Sequence, residues 1–252
     1  MAGIISNLIK KQWGDVPADN EMSAEQSKEI KEYYEQIKRQ EEWKKTKLKM
    51  EAKDLYTLFL NKAHEVMPAG KNFVVDAENK YFLKTLMYYF TDDPKFTKSQ
   101  IVSNEASLTK GLLITGKPGY GKTMGFRVIQ KLFLPYNLEQ YPKKLKIQSC
   151  NKIVMDFNIK GTETLEKYIT GGNWIFDDFG TEGQGKFFGL TEEVMKVILE
   201  RRYDLFINHK KLTHLTSNLT PDEIREEYGF RIASRLDEMF NIIVVSGKDR
   251  RK

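Results

Sequence analysis

Residues 110–126 read KGLLITGKPGYGKTMGF and place Gly116, Gly121, Lys122 and Thr123 in the spacing Gly-x-x-x-x-Gly-Lys-Thr. Such a loop is chemically suited to holding phosphate. Glycines at 116, 119 and 121 let backbone N–H groups turn inward and approach phosphate oxygens with no Cβ in the way. A helix starting near Lys122 adds the partial positive charge of its N-terminus. The Lys122 ammonium can reach the β- and γ-phosphates of a nucleoside triphosphate, and the Thr123 hydroxyl can ligate Mg²⁺. Lys117, Pro118, Tyr120 and Met124 complete the segment expected to line the nucleotide. A glycine turn with no ligand is the plainer alternative. The apolar run Gly111–Thr115 before the loop and the helical pattern after it favour phosphate binding.

A bound triphosphate needs further groups to hold the metal and activate water. In NWIFDDFGTEG, the apolar residues Trp174, Ile175 and Phe176 lead to Asp177 and Asp178 at an expected strand end. Asp177 is placed to hold Mg²⁺, directly or through water, and Asp178 to polarise the attacking water. Glutamate more often has that second role, and aspartate is one methylene shorter, so Glu182 stands as the alternative. Further on, LTHLTSNLTPDEI reads as a strand over 212–216 that ends in Thr216, Ser217 and Asn218. A polar amide there can lie beside the γ-phosphate and orient the water. Arg231 and Arg235 lie four residues apart on one expected helix and share a face. They read either as a source of positive charge for the γ-phosphate, from the same chain or a neighbour, or as surface salt bridges.

These groups must be carried by elements of defined type. Short apolar runs at 111–115, near 145–150, at 174–176, 212–216 and 242–245 alternate with helical patterns at 122–133, 163–169, 191–207 and 221–240, the last broken at Gly229. Pro221 is suited to the first turn of its helix. Strands alternating with helices predict an α/β domain with a largely parallel sheet. Ahead of it, Asp76 can cap a helix running to about Phe90, whose aromatics Tyr81, Phe82, Tyr88, Tyr89 and Phe90 predict core packing. Residues 23–64 contain no Gly or Pro and carry Ile30, Tyr33, Tyr34 and Ile37 at helical spacing, with Glu41 and Lys45 as a favourable pair. The break Met67-Pro68-Ala69-Gly70-Lys71 divides the chain into a helical arm over 1–66 and a catalytic domain over 67–252. The arm is either a solvated helix along the main domain or a partner-binding element.

Composition narrows the partners. The formal charge is +6, with 41 Lys and Arg against 35 Asp and Glu. Residues 1–109 are neutral with 17 of each sign, so the whole excess (24 against 18) lies in residues 110–252 and fits contact with a polyanion. One cysteine, Cys150, excludes an internal disulfide and a Cys-rich zinc site. His64, His209 and His214 show no ligand spacing with acidic partners, and packed or polar roles suit them. No apolar run is long enough to span a membrane, and the N-terminus lacks the order of a secretion signal. The expectation is a cytoplasmic protein with no membrane role.

Taken in order, the phosphate loop, FDDFG, THLTSN and YGFRIASRLDEM resemble the AAA+ ATPases of the DnaC type, the replicative helicase loaders. Transposition helpers of the IstB type look similar over the same stretch, residues 70–252. The resemblance implies a P-loop domain with a five-stranded parallel sheet in the order 5-1-4-3-2. It also implies ATP and Mg²⁺ as cofactors, Asn218 as first sensor, and Arg231 or Arg235 as a finger reaching a neighbouring subunit. Implied partners are a hexameric DnaB-type helicase and single-stranded DNA; the transposition alternative would take duplex DNA and a transposase. The sequence stops at Lys252, just past the last strand, so no C-terminal helical lid is expected. A second sensor arginine would then be missing unless GKDRRK supplies it. A small-molecule kinase is the third possibility, but no acceptor pocket or mobile lid is evident.

Overall fold

The computed structural model describes residues 50–67, 71–133 and 145–250, and four positions between 28 and 35. Lys28, Lys31, Glu32 and Glu35 are helical and exposed, as the charged positions of an amphipathic helix should be. The pair Glu41 and Lys45 and the apolar positions Ile30, Tyr33, Tyr34 and Ile37 lie outside the described residues.

Five parallel strands form the centre: β1 (Gly111–Thr115), β2 (Leu145–Ser149), β3 (Asn173–Phe179), β6 (Thr213–Ser217) and β7 (Phe240–Val244). Their order across the sheet is β2-β3-β6-β1-β7. Counting only these five strands in chain order, that is 5-1-4-3-2, as the resemblance implied. β1 is buried along its whole length, which is why it reads as an apolar run rather than an alternation. Residues 113, 176, 215, 240 and 242 face one layer of helices: α4 (Cys150–Lys160), α5 (Glu166–Thr170), α6 (Val194–His209), α7 (Pro221–Tyr228) and α8 (Phe230–Met239). His214, on the opposite face, sits among Tyr89, Phe90 and Phe126 with ring centroids 5.6–6.1 Å apart. Those rings come from α2 (Lys80–Phe90) and α3 (Lys122–Phe133). The Nδ1 of His214 accepts from the Leu112 N–H at 3.1 Å, so it is a core histidine.

Several local boundaries differ from the sequence reading. Met50 and Glu51, within the stretch 23–64, are not helical, and α1 (Ala52–Val66) begins after them. Its buried positions Leu55, Phe59 and Ala63 recur every four residues, and Phe59 meets Phe73 edge to face at 5.7 Å. The compact unit carrying the sheet includes α1. Asp76 does not cap α2 directly. Its carboxylate accepts from the Glu78 and Asn79 N–H groups at 2.9 and 3.2 Å and builds the turn before the helix. Of the aromatic stripe, Phe82, Tyr89 and Phe90 are core, but Tyr81 is 67% exposed.

α4 is a helix that the apolar runs did not announce. Ser149 ends β2 and caps α4 by accepting from the Lys152 N–H at 3.3 Å, so Cys150 is helical, not the last strand residue. The pattern expected over 163–169 splits into a 3₁₀ turn (Gly161–Leu165) and α5. The start of the 191–207 helix is taken by a hairpin, β4 (Gly185–Phe187) with β5 (Leu190–Glu192). α7 has the expected Pro start and a full capping box between Thr220 and Glu223; Gly229 at φ 84° separates it from α8.

Candidate nucleotide site

The loop between β1 and α3 joins the buried centre of the sheet to a helix N-terminus. Gly116, Gly119 and Gly121 have φ of 144°, 91° and 87°, a region that a side chain opposes. A Cβ at Gly121 would stand in open space, whereas at Gly116 and Gly119 it would strike residues of the segment after β7. Lys122 is 5% exposed. Its ammonium donates to the Gly116 carbonyl, to the Lys117 carbonyl at 3.0 Å and to Asn218 Oδ1 at 2.9 Å. Three N–H donors thus meet three acceptors, which fixes the charge at the mouth of the loop.

Asn218 follows β6, the strand hydrogen-bonded to β1, so its contact with Lys122 is a direct product of strand order. β3 lies on the other side of β6. Asp177, 5% exposed, accepts on one oxygen from Thr123 Oγ1 at 2.7 Å and from Thr216 Oγ1 at 2.6 Å. The Thr216 hydroxyl also accepts from the Asp178 N–H at 3.0 Å. Lys122, Thr123, Asp177, Thr216 and Asn218 are therefore drawn together from two adjacent parallel strands and one helix start.

Asp177 and Asp178 lie near the end of β3, which continues one residue further to Phe179. A bulge shifts the β3–β6 register between Phe176 and Phe179, and Asp178 has φ 58°. Bulges of this kind break the strict alternation of strand side chains and re-aim one residue. A non-glycine residue in the left-handed region costs of order 1–3 kcal/mol, strain that recurs at functional sites. Glu182, the alternative base, accepts from the Gly180 N–H at 2.8 Å and from the Tyr228 hydroxyl at 2.6 Å. Burial raises its carboxyl above the ordinary value of 4.5, and the Tyr228 hydrogen bond opposes that rise. Tyr228 stacks on Phe179 at 4.4 Å, so Glu182 is engaged in packing α7 against the end of β3.

Arg231 and Arg235 are not joined to this network. Both ion-pair with Glu200 on α6, at 3.4 and 3.2 Å. Arg235 is 19% exposed with its guanidinium 4.8 Å from the Tyr203 ring centre, whereas Arg231 is 74% exposed. Arg250, in the run GKDRRK, reaches Asp76 at 2.8 Å and Glu78 at 3.5 Å. Arg251 and Lys252 lie outside the described residues. Two contacts were not read from the sequence, which named Thr216 only in a polar trio and Arg250 only within GKDRRK. Thr216 bridges both aspartates, and its only signal was a polar residue in a buried strand. Arg250 meets acids more than 170 residues away, for which the sequence carries no signal.

No family model matches the sequence, and no curated protein matches it. Among solved structures, the chain is similar to the DnaC helicase loader at 16% identity and TM-score 0.48, over 75% of this chain and 98% of that one. It is similar to DnaI at 16% identity and TM-score 0.46, over 77% and 92%. It is also similar to AMPPCP-bound DnaA from Aquifex aeolicus at 14% identity and TM-score 0.46, over 69% and 48%.

Proposed function

We propose that the protein is a Mg²⁺-dependent ATPase of the AAA+ class that loads a hexameric DnaB-type replicative helicase onto single-stranded DNA. One observation carries the ATPase reading: the Lys122–Asn218 and Thr123–Asp177–Thr216 hydrogen bonds bring ammonium, hydroxyl, carboxylate and amide to the same edge of the sheet. The residues fit the groups they are to hold. Thr123 Oγ1 and Asp177 offer the hard oxygen donors that Mg²⁺ takes. Among the described residues no three His, Cys, Asp or Glu side chains cluster as a metal cage, so the remaining ligands would be phosphate and water. Bound Mg²⁺ supplies charge neutralisation on the β- and γ-phosphate oxygens.

Within that site each side chain has a distinct task. Lys122 binds the β- and γ-phosphates and holds Asn218 in register with them. Asp178 accepts the proton of the attacking water, and the Asn218 amide orients that water. Asp177 keeps the Thr123 hydroxyl turned toward the metal position. Arg231 or Arg235 acts across a subunit boundary; Arg231 is the more exposed of the two.

Helicase loading rests on the order of the four motifs and on the basic excess of residues 110–252. The arm is the partner-binding element under this reading. Its deletion is best placed before Lys49, since α1 packs in the compact unit. ATP turnover with and without single-stranded DNA, and capture of a DnaB-type helicase by the full chain and by a chain lacking residues 1–48, test the proposal. Stimulation by single-stranded DNA and helicase capture that depends on the arm support it. Absence of both ends it, and assembly on duplex DNA with a transposase turns it into the transposition reading.

A further inference from the structure

The segment that follows β7 lies against the phosphate loop. Val245 N–H donates to the Thr115 carbonyl at 2.8 Å, and a Cβ at Gly116 would fall 2.2 Å from the Val245 carbonyl oxygen. A Cβ at Gly119 would fall 2.0 Å from a carboxylate oxygen of Asp249. The Arg250 N–H donates to the Gly119 carbonyl at 3.1 Å. On its other side the segment is tied to the turn before α2. Lys248 N–H donates to Glu78 Oε2 at 2.9 Å, and the Arg250 guanidinium pairs with Asp76 at 2.8 Å and Glu78 at 3.5 Å.

We propose that residues 247–250 form a strap that holds the phosphate loop in its binding shape, with Arg250 as a positioning residue for the nucleotide. The inference rests on the reading of the loop as a nucleotide site. Glycine-rich loops lose much backbone entropy on being ordered, and a ligand that must order its own loop binds more weakly. The Gly119–Tyr120 peptide shows how the strap acts. In a trans peptide the C=O and the following N–H point in opposite directions. Fixing the Gly119 carbonyl on the Arg250 N–H therefore fixes the Tyr120 N–H toward the other side of the loop. The guanidinium anchors this contact, because Asp76 is itself held by the Glu78 and Asn79 N–H groups. Its hydrogen bond with Arg250 keeps the Asp76 carboxyl near 2, so the pair stays ionised across the physiological range.

The test uses the full chain with Mg²⁺ and a fluorescent ATP analogue, together with ATP turnover. R250Q and D76N should each raise Kd and KM for nucleotide about two- to fivefold, the range for one partly exposed charge-assisted pair. The kcat at saturating ATP should hold, and the thermal midpoint of the nucleotide-free protein should stay near wild type. The double variant should bind no more weakly than the worse single one, and R250K should recover part of the loss. Wild-type affinity in R250Q while K122A abolishes binding overturns the strap and leaves the nucleotide site standing. A fall in thermal midpoint and kcat without a change in Kd also overturns it, as a merely structural role. If the wild-type chain binds no nucleotide, the site reading and the strap fall together.

Discussion

Thr216 offers the sharpest check on how the candidate site is held. Its buried hydroxyl donates to Asp177 at 2.6 Å and accepts from the Asp178 N–H at 3.0 Å, so one atom restrains both aspartates. Replacing it by valine keeps the shape and removes both bonds. A hydrogen bond to a charged group contributes about 1.5–3 kcal/mol, and a buried N–H left without a partner costs about 1–3 kcal/mol. Asp177 keeps its bond from Thr123, which limits the loss. T216V should therefore lower the unfolding free energy by about 2–4 kcal/mol in urea titrations. Thr216→Ser keeps the hydroxyl and gives up one buried methyl, worth about 1 kcal/mol. In turnover assays T216V should lose most activity at fixed Mg²⁺ and T216S little, because only the former frees both aspartates. If the two variants unfold within about 0.5 kcal/mol of each other, the bridge does not hold the site and the reasoning is wrong.

Three other substitutions probe distinct parts of the molecule. Arg202 is fully buried, donates to the carbonyls of Tyr168, Ile169, Gly172 and Leu212 and to the Thr213 hydroxyl, and is pushed down by burial to about 10. R202M leaves these acceptors without a donor and should cost about 3 kcal/mol or more in chemical denaturation, with nucleotide affinity of the folded fraction unchanged. Burial raises the folded-state carboxyl of Glu182 above 4.5, so the folded protein holds the proton to higher pH than the unfolded chain, and stability falls as pH rises through that window. E182Q removes this dependence, and the stability difference should move in favour of the variant between pH 4 and pH 7; a constant difference would contradict the burial argument. R231A and R235A should each leave ATP binding intact. The finger variant alone should lose turnover, and mixing it with K122A should restore part of it, because K122A still supplies the arginine to the variant's intact nucleotide site. Wild-type turnover in both single variants, or no recovery on mixing, removes the shared-interface reading.

Much of this protein is set by local chemistry that a sequence displays. The phosphate loop, β1 and α3 fall where the glycine spacing and the apolar run put them, because a buried parallel strand must be apolar and the loop needs residues without a Cβ. Pro221, Thr220 and Glu223 start α7 through contacts within four residues, and Gly229 ends it. The non-helical Met50–Glu51 was not legible, since helix formers surround it and tertiary packing overrides weak propensity. The hairpin before α6 was not, since strands of three residues are too short to show an alternation. Strand order was legible only through the resemblance; no local pattern states which strand lies beside β1. That order decides the site, because it sets Asn218 against Lys122 and Asp177 beside Thr216. The bulge at Asp178 and the reach of Arg250 to Asp76 belong to the tertiary structure alone. A β-register and an ion pair between distant segments depend on where the whole chain brings them, and neither leaves a mark in the residues nearby.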